Sequence, residues 1–251
     1  MSRSDATAWW KDWVSSMFVP SGETLEQMMR PTGGYALPPM SFAGPAKLHS
    51  PGLPQAMKRL LDISLAAVLL LVSAVPLLIV ALLIRRESSG PALFRQRRVG
   101  LDGTNFTIWK LRTMHAQSAR GDTLCQAQRG DPRVTRIGAW LRCRSFDELP
   151  QLVNVLRGDM SLVGPRPHAP GTCAGGRPFE QISPLYMARH HVRPGMTGLA
   201  QVRGWRGETE TEDKLLRRVD SDLEYIATWS LWLDLVILAR TLAMMCTCNA
   251  Y

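Results

Sequence analysis

The chain has 251 residues, room for one good-sized domain with appendages but not for a multidomain machine. Thirty Lys and Arg against 21 Asp and Glu give a net charge of +9, which points to anionic partners: nucleic acid, phosphorylated small molecules or an anionic membrane surface. At 45% hydrophobic and 20% charged residues, the composition excludes a disordered chain and a multi-span transporter, and leaves room for one or two membrane elements.

The segment from Ala6 to Phe18 places Trp9, Trp10, Trp13, Val14 and Met17 on one helical face, suited equally to a membrane interface or to docking on a protein surface. Pro20 to Pro54 is rich in glycine and proline without periodicity and reads as a linker. Residues 1–56 are therefore expected to be a weakly ordered tail.

Leu60 to Ile84 is the longest apolar run, about 25 residues and nominally enough to cross a bilayer. Pro76, near its middle, removes a backbone donor and predicts a bend or break. Basic pairs flank the run at both ends, Lys58-Arg59 and Arg85-Arg86, with Asp62 just inside its start. A positive-inside preference at both ends favours a segment that dips in and returns, with a plain spanning helix as the alternative. The run is too long for a secretory signal core and lacks a small-residue cleavage site. The membrane element is placed at 57–86 and a catalytic domain at 87–251.

Pro91 to Met114 alternates apolar and polar residues around Leu101-Asp-Gly103, predicting a β-hairpin. Asp147–Leu156, stopped by Gly158, and Glu212–Ala227 read as helices. The glycine- and proline-rich stretch Ala169–Pro184 reads as a disordered loop. Trp229–Met245 reads as a core or interfacial helix, its tryptophans favouring the interface. Five scattered cysteines, none in a Cys-x-x-Cys pair, fit a reducing cytoplasm, with Cys246 and Cys248 read as small hydrophobes at a helix end.

Two constellations carry chemistry. Asp147 and Glu148 follow Arg142 and Arg144 near a helix start. Ser145 and Glu148 have the spacing of a capping box, although Pro150 argues against a simple one. A carboxylate held among guanidiniums stays ionised, ready to attack or to bind a metal. Lys110, Arg112, Arg166 in Gly164-Pro165-Arg166-Pro167, and Arg193 in Arg193-Pro-Gly-Met-Thr-Gly198 form the second constellation. Arginines bracketed by proline and glycine point to a diphosphate-bearing substrate. Neither a recognition helix nor a zinc finger supports nucleic acid, and there is no Walker A or Rossmann fingerprint.

Several ordered blocks resemble one family, the bacterial monotopic phosphoglycosyl transferases, from about Lys58 to Tyr251. They are Lys58-Arg-Leu-Leu-Asp62, Lys110-Leu-Arg-Thr-Met114, Ser145-Phe-Asp-Glu-Leu-Pro-Gln151, Gly158-Asp-Met-Ser161, Gly164-Pro-Arg-Pro167 and Arg193-Pro-Gly-Met-Thr-Gly-Leu-Ala-Gln201. Gly204-Trp-Arg-Gly-Glu-Thr209, His168 and Trp229–Asp234 look most like the undecaprenyl-phosphate glucose phosphotransferase branch.

The resemblance implies an α+β, mainly α fold. Its parts would be a re-entrant, proline-kinked membrane helix, a small hairpin and interfacial amphipathic helices around one catalytic domain on the cytoplasmic face of the bacterial inner membrane. It implies transfer of hexose 1-phosphate, expected to be glucose 1-phosphate, from a UDP-sugar to polyprenyl phosphate with release of UMP. Asp147 would be nucleophile and Mg2+ ligand, Glu148 its catalytic partner, and Lys110, Arg112, Arg142, Pro165, Arg166 and Arg193 the substrate-binding set. Galactose or an N-acetylhexosamine is the alternative sugar, and a catalytically inactive basic scaffold the alternative class. A homo-oligomer stays open. The chain departs from the family in having Val75 before the kink proline, with Ser73 two places earlier, and in residues 1–56, which match nothing in it.

Overall fold

The computed structural model describes residues 52–115 and 130–245. The Trp-rich segment, nearly all of the linker, and Cys246 and Cys248 lie outside these. The first element, α1, is Leu53–Glu87. It starts four residues before the expected boundary because Pro54 occupies the first helical turn, where its missing N–H has no bond to lose. It is also one helix through Pro76, so of the expected bend or break, the break is absent. A single interior proline deletes one ladder bond; the turns on either side remain, and Ser73 Oγ donates to the Leu69 carbonyl at 2.6 Å.

The hairpin forms as predicted, with β1 (Leu93–Val99) antiparallel to β2 (Asn105–Leu111) and Phe94 opposite Lys110. Asp102, at φ 51°, makes the turn. The next helix, α2 (Arg136–Arg144), is capped twice: Thr135 Oγ1 accepts from Gly138 N at 3.0 Å, and Glu87 Oε1 accepts from Arg136 N at 2.9 Å. A 3₁₀ segment, Phe146–Gln151, leads into α3 (Leu152–Arg157), which ends at Gly158 with φ 95°.

Short strands β3 (Ser161–Val163) and β6 (Gly195–Thr197) pair in parallel. The expected disordered loop is instead folded. Within it, β4 (Cys173–Ala174) pairs with β5 (Arg177–Pro178) and runs into the short α4 (Phe179–Ile182). Phe179 and Ala174 hold it down by packing on Tyr186, Leu215 and Val219. The chain then passes through α5 (Leu199–Val202) and finishes in α6 (Glu212–Thr228) and α7 (Leu231–Met245).

The main core joins Ala66 of α1, Ile108 of β2, Leu152 and Val155 of α3, Val163 of β3, Tyr225 of α6 and Ile237 of α7. A smaller one joins Ile84 at the other end of α1 to Leu111 and Leu141. Between these two anchorages α1 is bare, with Leu71, Val72 and Val75 each more than 60% exposed. Helix α7 is a core helix on one side, with Asp234 and Ile237 buried, and leaves Trp232, Leu235 and Leu242 exposed on the other.

Candidate active site

The acidic pair sits on the 3₁₀ segment because Ser145, in the left-handed region at φ 58°, turns the chain sharply after α2. The capping-box reading fails here: Ser145 gives no side-chain cap, and its hydroxyl accepts from Arg206 Nη2 at 2.6 Å. Glu148 is likewise engaged elsewhere. Lys110 Nζ donates to its Oε1 at 2.8 Å, and Arg166 grips both oxygens, with Nη1 3.0 Å from Oε2. Burial alone would raise the Glu148 carboxyl, but Arg166 and Lys110 outweigh it and hold the group well below its usual range. Glu148 in turn raises Arg166, fixing the positive charge there.

Asp147 is 8% exposed, and among the described residues nothing hydrogen-bonds its carboxylate. Burial pushes its carboxyl up, and Glu148 adds to that, while Lys110, Arg142 and Arg166 pull the other way. The outcome is one carboxylate locked in a clamp and a second left uncommitted among the same cations. The more basic of two carboxylates is the better nucleophile.

The structure sorts the expected basic residues. Lys110 and Arg166 touch the pair, and Arg142 faces Asp147 while its Nε donates to Thr113 Oγ1 at 2.8 Å. Pro165 acts through its backbone, its carbonyl accepting from Gly195 N at 2.9 Å. Arg112 is not brought to the pair by any hydrogen bond: it binds the Ser88 and Ser89 carbonyls at 2.6 and 2.9 Å, closing the end of α1. Strand alternation would put Lys110 and Arg112 on one face, but β2 ends at Leu111, so Arg112 lies beyond the strand and does not follow its alternation. Arg193 is also elsewhere, its Nε 3.1 Å from the Gly158 carbonyl.

Two arginines were missed. Arg206 faces both carboxylates, and Arg98, bonded to the Pro167 carbonyl, stands close to Arg166 and Glu148. Arg206 lies within the Gly204-Trp-Arg-Gly block, where glycines on either side of an arginine were the available signal.

The donor set also bears on Mg2+. No cluster of three metal-ligating side chains occurs among the described residues, and Glu148 has both oxygens taken. Asp147 remains. A single protein carboxylate, completed by water and substrate phosphates, is an ordinary Mg2+ donor set, so the residues fit.

A buried carboxylate in a ring of cations, on a domain packed along one helix long and apolar enough to cross a membrane, suits phosphorylated substrates at a membrane surface. Residues 53–248 match the bacterial sugar transferase family, and the chain belongs to it. It is 56% identical over 195 residues to the UDP-glucose:undecaprenyl-phosphate glucose-1-phosphate transferase of Caulobacter vibrioides, covering 77% of this chain and 72% of that protein. The Escherichia coli protein of the same name is 47% identical over 76% of this chain, which spans only 40% of its length. An exopolysaccharide production protein of Rhizobium leguminosarum is 48% identical over 74% of this chain and 92% of its own.

Proposed function

We propose that the protein transfers glucose 1-phosphate from UDP-glucose to undecaprenyl phosphate at the cytoplasmic face of the inner membrane, as the first membrane step of exopolysaccharide synthesis. The observation that carries this reading is the contrast within the dyad: Glu148 is clamped by Lys110 and Arg166, while Asp147 is buried and unbonded beside them. The relatives' names supply the substrates.

In the first half-reaction a carboxylate oxygen of Asp147 attacks the phosphorus that bears glucose. The anhydride P–O bond breaks and UMP leaves with the electron pair, leaving glucosyl phosphate joined to Asp147 as an acyl phosphate, a mixed anhydride. In the second, an oxygen of the lipid phosphate attacks the same phosphorus and the carboxylate leaves unchanged. One anhydride replaces another, so no energy cofactor enters. Arg166, Arg142, Lys110 and Arg206 neutralise charge on the transferring group. Mg2+ bound at Asp147 would share that task. Glu148 holds Arg166 and Lys110 in place, a positioning task that needs no proton transfer.

The depth of the site follows from α1. Both of its ends are tied to the same domain, Asp62 to Ser161 and Leu162, and the Ile84–Ser89 end to Arg112, which supports a re-entrant helix over a spanning one. Such a helix keeps Asp147 at the level of the lipid phosphate.

Membranes containing the protein, given UDP-glucose, Mg2+ and undecaprenyl phosphate, should release UMP faster than with UDP-galactose or UDP-N-acetylhexosamines. Glucose-labelled donor should leave a label on the wild-type chain and none on Asp147→Asn. Labelling that survives this substitution removes Asp147 as nucleophile, and a preference for another UDP-sugar reassigns the donor.

A further inference from the structure

A cavity of about 190 Å3 opens beside the first turns of α1, away from the dyad, and Lys58, Arg59, Asp62, Tyr225 and Arg193 are among its walls. No residue that grips Glu148 lines it, so a group bound there is not placed for attack by Asp147. It collects Arg193, a cation of the sequence motifs that does not reach the dyad.

Its charges do not cancel. Lys58 Nζ is paired with Asp234 Oδ2 at 2.7 Å. Asp62 is occupied by Ser161 Oγ at 2.7 Å and Leu162 N at 3.0 Å. Arg59 binds the Val155 and Leu156 carbonyls at 2.7 and 3.0 Å, and Arg193 the Gly158 carbonyl, so two guanidiniums converge on the carbonyl end of α3. Carbonyl dipoles offset part of that charge, yet Arg59 and Arg193 are close enough to repel one another. Lys58, Arg59 and Arg193 against Asp62 and Asp234 leave one positive charge over.

The position along the helix matters equally. Leu60, one residue beyond Arg59, is 68% exposed at the start of the apolar run. The indole of Trp229 donates to Asp234 at 3.2 Å, the carboxylate that also holds Lys58, and Trp232 stands 55% exposed nearby in the chain. Tryptophan and basic residues at the start of an apolar segment mark headgroup depth.

We propose that this cavity binds the phosphodiester headgroup of an anionic bilayer phospholipid, with Arg193 and Arg59 supplying the charge. The size fits a headgroup, being below the roughly 300 Å3 at which sites for drug-sized ligands begin. The single surplus charge fits a phosphodiester better than a phosphate monoester, which carries about −1.5 to −2 at pH 7. The site rests on the membrane reading of α1 and is independent of the sugar chemistry. Its role is to seat the start of α1 against the bilayer surface while the carrier lipid uses the dyad.

Full-length protein in nanodiscs of phosphatidylcholine doped with phosphatidylglycerol, transferred to mild detergent, can be read by native mass spectrometry for retained lipid. Wild type should keep one phosphatidylglycerol in preference to phosphatidylcholine. Arg193→Gln should lose that preference at least fivefold, and Arg193→Lys should keep most of it, which separates charge from folding. Equal retention by wild type and Arg193→Gln overturns the site. Displacement of the lipid by millimolar inorganic phosphate at equal efficiency overturns the phospholipid in favour of a soluble anion. Protein that never enters the discs fails the membrane reading, and with it this proposal. Lipid retention without UMP release would fail the transferase reading alone.

Discussion

Asp147 and Glu148 carry the same functional group one residue apart, and their surroundings drive them in opposite directions. Glu148 receives Lys110 and Arg166 directly and is held ionised; Asp147 receives them only through space, and burial raises it. If attack requires ionised Asp147, kcat/KM falls on the acid side as that group protonates, at a pH raised by burial from that of an ordinary aspartate. Two substitutions then have opposite signs. Lys110→Gln removes a cation that lowers Asp147 and should move the acid limb to higher pH, whereas Glu148→Gln removes an anion that raises it and should move the limb lower. Initial rates of UMP release against pH measure both, and shifts in the same direction would exclude Asp147 as the titrating group. The dyad was legible because two adjacent acids beside two arginines are conspicuous. Its division of labour was not, because that depends on Lys110 and Arg166, 38 and 18 residues from Glu148.

The motifs Gly164-Pro165-Arg166-Pro167 and Arg193–Gly198 owe their glycines to each other. Strands β3 and β6 bring the backbones together, with Gly164 N bonded to the Thr197 carbonyl and Gly195 N to that of Pro165, both at 2.9 Å. A Cβ on Gly195 would lie 2.1 Å from Gly164 N, and one on Gly198 would lie 2.3 Å from the Gly164 carbonyl oxygen. Gly195→Ala must therefore push the seam apart, costing at least the roughly 1–3 kcal/mol of an overpacked core. Because Arg166 is two residues from Gly164, activity should fall along with thermal stability, read by melting of the detergent-solubilised protein and by UMP release. An unchanged melting temperature would mean that the seam is not as tight as drawn. Periodicity revealed the hairpin, α6 and α7, whose burial alternates over many residues. It did not reveal β3, β6 or the fold of Ala169–Pro184, where two- and three-residue strands are stabilised by distant partners. Glycine reads as freedom in Ala169–Pro184 and as a bracket for arginine in Arg193–Gly198; at Gly195 it serves close approach.

The whole molecule is organised around a helix whose two ends grip one domain. At 35 residues, α1 would measure about 52 Å if straight, well beyond the roughly 30 Å hydrocarbon core. A spanning topology would place Asp62 and Glu87 on opposite faces of the bilayer. Yet Asp62 accepts from Leu162 N, Glu87 accepts from the first N–H groups of α2, and Arg112 closes on Ile84, Ser88 and Ser89. These contacts support the proposed re-entrant topology, in which the bilayer would meet the bare middle, around Leu71, Val72 and Val75, with both ends on one side. Single cysteines at Ala56 and Ser89, both exposed, test this in a cysteine-free background; Ser89 is preferable to Gly90, whose φ of 110° favours glycine. Both should react with membrane-impermeant thiol reagents in inside-out vesicles and neither in intact spheroplasts. Pro76→Leu restores a donor to the ladder and stiffens the stretch that must meet the lipid, so part of the population should shift to labelling from both sides, with lower UMP release. Ala56→Cys reacting from the periplasm, with Pro76 in place, would make α1 a spanning anchor and require its contacts at one end to open in the bilayer.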